Sequence, residues 1–79
     1  MSRRTDALKA VQVAASRAEE KHGLGWCGSP YITHEVRLTI VMNEMGEVSD
    51  EVVAGDEERL KAELLDVMGA LLGWLEVLG

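Results

Sequence analysis

Apolar residues recur along this chain at helical spacing, and nowhere do they alternate for long enough to predict a strand. Leu8, Val11, Ala15 and Ala18 fall at i, i+3, i+7 and i+10, which predicts a first helix from about Thr5 to Lys21 with Gly23 as its stop. The stretch "GLGWCGSPY" then breaks the periodicity, and its Ser29-Pro30 pair reads as an N-cap followed by a first-turn proline. A second helix is expected from about Pro30 to Val53, closed by Gly55. Asp56 stands where it would cap a third helix, whose first turn carries Glu57 and Glu58 and which runs to Leu78.

That third helix is apolar around nearly its whole circumference, with Leu60, Leu64, Leu65, Val67, Met68, Leu71, Leu72, Trp74, Leu75, Val77 and Leu78. A helix apolar all round is expected to be buried all round. Two partner helices do not enclose a third, so the pattern predicts an all-α short helical bundle of three main helices per chain, completed by oligomerisation as a homodimer or tetramer. Gly69 and Gly73 would let a neighbouring backbone approach closely. No linker or repeat divides residues 1–79, which read as a single domain.

Length sharpens the need for a partner. A 79-residue chain buries only about 60–65% of its unfolded surface, and one cysteine, Cys27, allows no internal disulfide. With 14 acidic against 8 basic side chains the formal charge is −6, which argues against nucleic acid as a partner, because phosphate backbones demand a clustered positive field. Asp6, Lys9 and Gln12 interrupt any signal-peptide core, and the apolar run Val67 to Leu75 is too short to cross a bilayer. No membrane association is therefore expected. A lone cysteine without an export signal predicts a reducing, cytoplasmic setting.

Against this apolar background the acids stand out. "VMNEMGEVSDEVV" places Glu44, Glu47 and Glu51 on one stripe of the second helix, and "ELLDVMGALLGWLEVLG" places Glu63 and Asp66 on one stripe of the third. A short connection makes the two helices antiparallel neighbours, so the stripes can face each other. Two like charges 4 Å apart repel by about 4 kcal/mol at an effective dielectric of 20. Such carboxylates must protonate, separate or hold a cation, and an all-oxygen set suits Mg²⁺ or Mn²⁺. Zinc is disfavoured, because Cys27, His22 and His34 lie outside these stripes.

The double motif resembles that of the MazG-like all-α nucleoside triphosphate pyrophosphohydrolases: E-x-x-E at Glu44 and Glu47, 15 intervening residues, then E-x-x-D at Glu63 and Asp66. "RLTIVMNEMGEVSDEV" and "LKAELLDVMGALLGWLE" look like that family's second and third helices, and the likeness covers roughly Trp26 to Leu78. It implies that Glu44, Glu47, Glu63 and Asp66 bind Mg²⁺, with Mn²⁺ as a substitute, and serve as the catalytic residues. It further implies hydrolysis of a (deoxy)nucleoside triphosphate to monophosphate and pyrophosphate, with one of these acids or a water they orient generating the nucleophile. Asn43 departs from the pattern, standing where many relatives carry another acid.

Three further residues are candidate substrate contacts. Trp26 in the glycine-rich loop would stack on a base, or else cap the core. Arg37, two turns before Glu44 on its stripe, would reach a phosphate, or else be a helix-surface arginine. His34 would touch substrate from the start of the second helix, or else be a partly exposed histidine. Arg59 and Glu63, four apart, are spaced to pair, and Cys27 lacks the histidine and acid that would mark a nucleophile. The rival to an enzyme is a non-catalytic helical interaction module whose acids are a remnant metal site.

Overall fold

Three short polar side chains start the three helices. In the computed structural model, which describes residues 2–79, Ser2 Oγ accepts from the Thr5 amide at 3.1 Å, Thr33 Oγ1 from the Val36 amide at 3.2 Å, and Asp56 Oδ1 from the Arg59 amide at 3.0 Å. Each satisfies one of the donors that a helix leaves open at its N-terminus. The helices are α1 (Arg3–His22), α2 (His34–Ala54) and α3 (Glu57–Leu78), with one 3-10 turn (Gly23–Gly25) after α1 and no strand among the described residues. The expected all-α architecture is what the chain adopts. No helix of the described residues is long and apolar enough to cross a membrane.

Helix α2 begins four residues later than the Ser29-Pro30 pair predicts. Ser29 is buried, and its hydroxyl accepts instead from the Tyr31 amide at 3.2 Å, a local turn that uses up the side chain. Thr33, with extended backbone, takes the capping role. At the other end Gly55 adopts φ 73°, a left-handed conformation that glycine reaches without steric penalty. Its amide donates to Glu51 O at 3.0 Å, so α2 stops and Asp56 starts α3 at once.

Helix α3 packs against both α1 and α2, which do not pack against each other. The molecule is a slab of 36 × 31 × 19 Å along its principal axes. Helix α3 is therefore flanked but not enclosed. Leu64, Met68, Leu75 and Leu78 remain exposed, as the sequence leads one to expect of an apolar helix that has only two partners in its own chain. Leu8, expected on the core face of α1, is also exposed; the buried residue of that helix is Ala15.

Small residues make the two helix contacts close. A Cβ on Gly69 would lie 3.1 Å from the Ala15 backbone nitrogen, so the first crossing is α1 on α3 at that point. On the other side Cys27, Val41 and Ala70 are buried together, with Ile40, Leu71 and Trp74 packed around them. The Trp26 ring covers Gly73, where an added Cβ would come within 2.7 Å of its Cζ3 and 2.8 Å of the Gly28 nitrogen. Gly73→Ala is expected to destabilise by about 1–3 kcal/mol through overpacking. Gly46→Ala, where a Cβ meets nothing within 4 Å, should stabilise by up to about 1 kcal/mol through helix propensity. Urea denaturation of the two variants checks the contrast; equal shifts would mean that Trp26 does not hold the helix there.

Candidate metal centre

Because α1 and α2 stand apart on either side of α3, a cleft of about 930 Å³ opens between them, floored by α3. Glu44 and Glu47 enter it from α2, Glu63 and Asp66 from α3. One ligand oxygen from each of Glu44, Glu63 and Asp66 lies within 4.8 Å of the others. Glu47 stands beside this group rather than in it, hydrogen-bonded to the Glu63 side chain. The fifth acid of the stripes, Glu51, is turned away: its Oε2 pairs with Arg59 Nε at 3.3 Å. Arg59 thus bridges the α2–α3 turn instead of pairing with Glu63, because the antiparallel return brings Glu51 within its reach.

The electrostatics of the four acids are strained. Oε2 of Glu44 and Oε2 of Glu63 are both shielded from solvent without a hydrogen-bond partner, the kind of orphan that folded proteins rarely keep. Glu63 is pushed up to about 7, first by its hydrogen bond to Glu47, then by burial, then by the charges of Glu47, Asp66 and Glu44. Two carboxyls share a hydrogen bond only if one of them carries a proton. Glu44 is raised as well, chiefly by burial and then by Glu47 and Asp66, with Lys21 partly offsetting them. Three oxygen donors, two of them presenting buried atoms without partners, fit a small hard cation such as Mg²⁺ or Mn²⁺.

A pH dependence follows. With a folded value near 7 against an ordinary 4.5 for Glu63, the folded state binds the extra proton between those limits. Its contribution to metal-free stability is complete below about pH 4.5 and is lost as pH rises through about 7. A cation must displace that proton, so Mg²⁺ should raise the melting temperature little at pH 5 and by several degrees at pH 8. Thermal scans with and without Mg²⁺ across this range test it. A Mg²⁺ effect independent of pH would separate the cation from Glu63.

Comparisons with protein-family models, curated proteins and solved structures find no match. The site's chemistry must then be read from its own side chains.

The basic wall of the cleft was not legible as such in the sequence. Arg17, Lys21 and His22 of α1 line it opposite the acids. The signal was present: Ala10, Ala14, Arg17 and Lys21, all of which line the cleft, recur at i, i+4, i+7 and i+11, one helical stripe of two small and two basic residues. Which way that stripe faces is a tertiary matter. Cys27 and His22, set apart from the acids in the chain, also reach the cleft. Burial pushes the Cys27 thiol up, with Arg37 only partly opposing, so it is a packed thiol rather than a nucleophile.

The three candidate substrate contacts have other employment. Trp26 is buried, covering Gly28 and Gly73, with its edge on the cleft. Arg37, far from the helix surface, is only 2% exposed. Its Nε donates to Cys27 O at 2.7 Å, another guanidinium nitrogen donates to Ser29 O, and a third lies 3.3 Å from His34 Nδ1. The guanidinium fork thus holds the loop carbonyls rather than facing the cleft. His34 lies outside the cleft lining. Its Nδ1 accepts from Trp74 Nε1 at 3.0 Å, and the two rings stack at 5.9 Å.

Proposed function

We propose that this protein is a Mg²⁺-dependent hydrolase that converts (deoxy)nucleoside triphosphates to monophosphate and pyrophosphate in the cytoplasm. The observation that carries the reading is the group formed by Glu44, Glu63 and Asp66, with their ligand oxygens within 4.8 Å of one another and a basic wall of Arg17 and Lys21 across the same cleft. Acids alone repel a triphosphate and bases alone do not place a cation; one cleft carrying both suits a cation-bound polyphosphate. The resemblance of the E-x-x-E and E-x-x-D motifs to MazG-like pyrophosphohydrolases supports the choice of reaction.

Glu44, Glu63 and Asp66 would hold the cation, with Mn²⁺ able to replace Mg²⁺. A divalent ion there supplies charge neutralisation for the phosphates and acidifies water. Glu47, beside the three and hydrogen-bonded to Glu63, would take the proton of the attacking water. Arg17 and Lys21 bind and orient the phosphate chain. Such a role suits clearing unwanted nucleotides from a pool.

A second reading, a helical interaction module with a remnant metal site, draws on the exposed apolar residues of α3. A panel of canonical and modified nucleoside triphosphates with Mg²⁺ or Mn²⁺, products resolved by chromatography, separates the two. Monophosphate plus pyrophosphate, abolished by chelator, supports the enzyme. A folded protein that turns over nothing supports the module.

A further inference from the structure

We infer that His34 is a proton-released latch: uncharged, it ties the start of α2 to the last turns of α3, and protonation of its ring lets them part. Nδ1 of His34 receives the Trp74 indole Nε1 at 3.0 Å, across 40 residues of chain, and lies 3.3 Å from a guanidinium nitrogen of Arg37. An indole and a guanidinium only donate. A ring nitrogen that faces two donors must offer its lone pair to them, which places the ring proton on Nε2 and leaves the imidazole neutral. The geometry thus selects one tautomer and one charge state of this ring.

Three features turn against a proton on Nδ1. It would set a third N–H against the two already aimed there, breaking both contacts. It would put an imidazolium beside the Arg37 guanidinium, two like charges at contact distance. It would also add positive charge at the first residue of α2, where the helix dipole favours anions. Trp74, the side chain that meets the ring from α3, does not titrate, and the loop residues Cys27 and Ser29 turn their carbonyls to the same guanidinium. Glu35, the acid of this first turn, makes no ion pair with the ring among the described residues. The latch is therefore made in neutral and alkaline solution and lost as the pH falls through the range in which an imidazole takes up a proton. Arg37 loses one of its three acceptors with it, and Arg37 holds the loop whose Gly25, Trp26 and Cys27 line the cleft. Acid thus loosens that end of the cleft through a residue outside its lining.

Glu63 moves metal-free stability in the opposite direction with pH, so the test uses a local probe rather than a melting temperature. Solution NMR of the whole isotope-labelled chain, without metal or nucleotide, supplies it. At about pH 8 the wild-type His34 ring should show an unprotonated Nδ1 and a protonated Nε2. At about pH 5 the Trp74 indole N–H, assigned by its absence from Trp74→Phe, should exchange with solvent about 2–10-fold faster than in His34→Gln, the range for losing one neutral hydrogen bond. The glutamine carbonyl accepts from both donors and takes up no proton. A protonated Nδ1 at about pH 8, an indole that exchanges no faster in the wild type than in His34→Gln at the lower pH, or a difference between them that is already present at the higher pH, overturns the inference. The tautomer is read on the wild type itself, so the test does not hang on the variant's folding.

Discussion

If the proposed reaction is correct, Glu47→Gln is expected to lower kcat by about 10²–10⁴-fold, the range for removing a positioned proton acceptor, while the metal-free protein becomes more stable at pH 8. The two effects have one origin. Glu47 raises Glu63 first through a shared hydrogen bond and then through its own charge. A glutamine amide donates to Glu63 without needing a shared proton and carries no charge. Glu63 then returns toward its ordinary range, and the loss of metal-free stability between about pH 4.5 and 7 flattens. Melting curves against pH, measured beside steady-state turnover, read both effects. Turnover lost together with stability would make Glu47 a structural residue; turnover retained would remove it from the chemistry.

Arg37→Ala is expected to cost about 3–5 kcal/mol, the largest stability effect of any single change considered, although Arg37 touches none of the four acids. Its guanidinium is the donor for the buried carbonyls of Cys27 and Ser29, and it is itself 2% exposed. Truncation leaves acceptors without donors and opens a cavity beneath the loop that carries Trp26. A domain of this size holds only about 5–10 kcal/mol in total, so much of the population would unfold on mild heating. Arg37→Lys should rescue little, because an ammonium does not reproduce a fork that meets two carbonyls and His34 together. Chemical denaturation with far-UV circular dichroism measures this. An Arg37→Ala midpoint near the wild type would show that the loop holds without its clamp, and a selective rise in KM at full stability would return Arg37 to the substrate.

These two residues mark where sequence reasoning reached and where it stopped. Glu47 stands out from chain position alone, because a carboxylate at i+3 from another on an apolar helix is an anomaly that local spacing exposes. Arg37 stands out by the same stripe logic, but its surroundings differ from those the stripe predicts: it is buried beneath the loop instead of facing phosphate or solvent. Its partners, Cys27 and Ser29, lie in an irregular loop, and no periodicity reports which way a loop folds back. The start of α2 differs from the sequence expectation for the same reason: Ser29 and Thr33 both have capping side chains, and only the burial of Ser29 decides between them.

By itself the sequence determined the helices, the glycine stop between α2 and α3, and the pairing of Glu44 and Glu47 with Glu63 and Asp66 on facing stripes. All of these depend on neighbours within a few residues or on a connection too short to allow alternatives. The tertiary structure alone decided that α1 and α2 stand apart, that Arg17 and Lys21 face the acids, that Glu51 leaves the group for Arg59, and that one side of α3 stays uncovered. Each is set by how three helix faces divide between packing and solvent. That division depends on the sum of contacts between segments distant in the chain, which local periodicity does not contain.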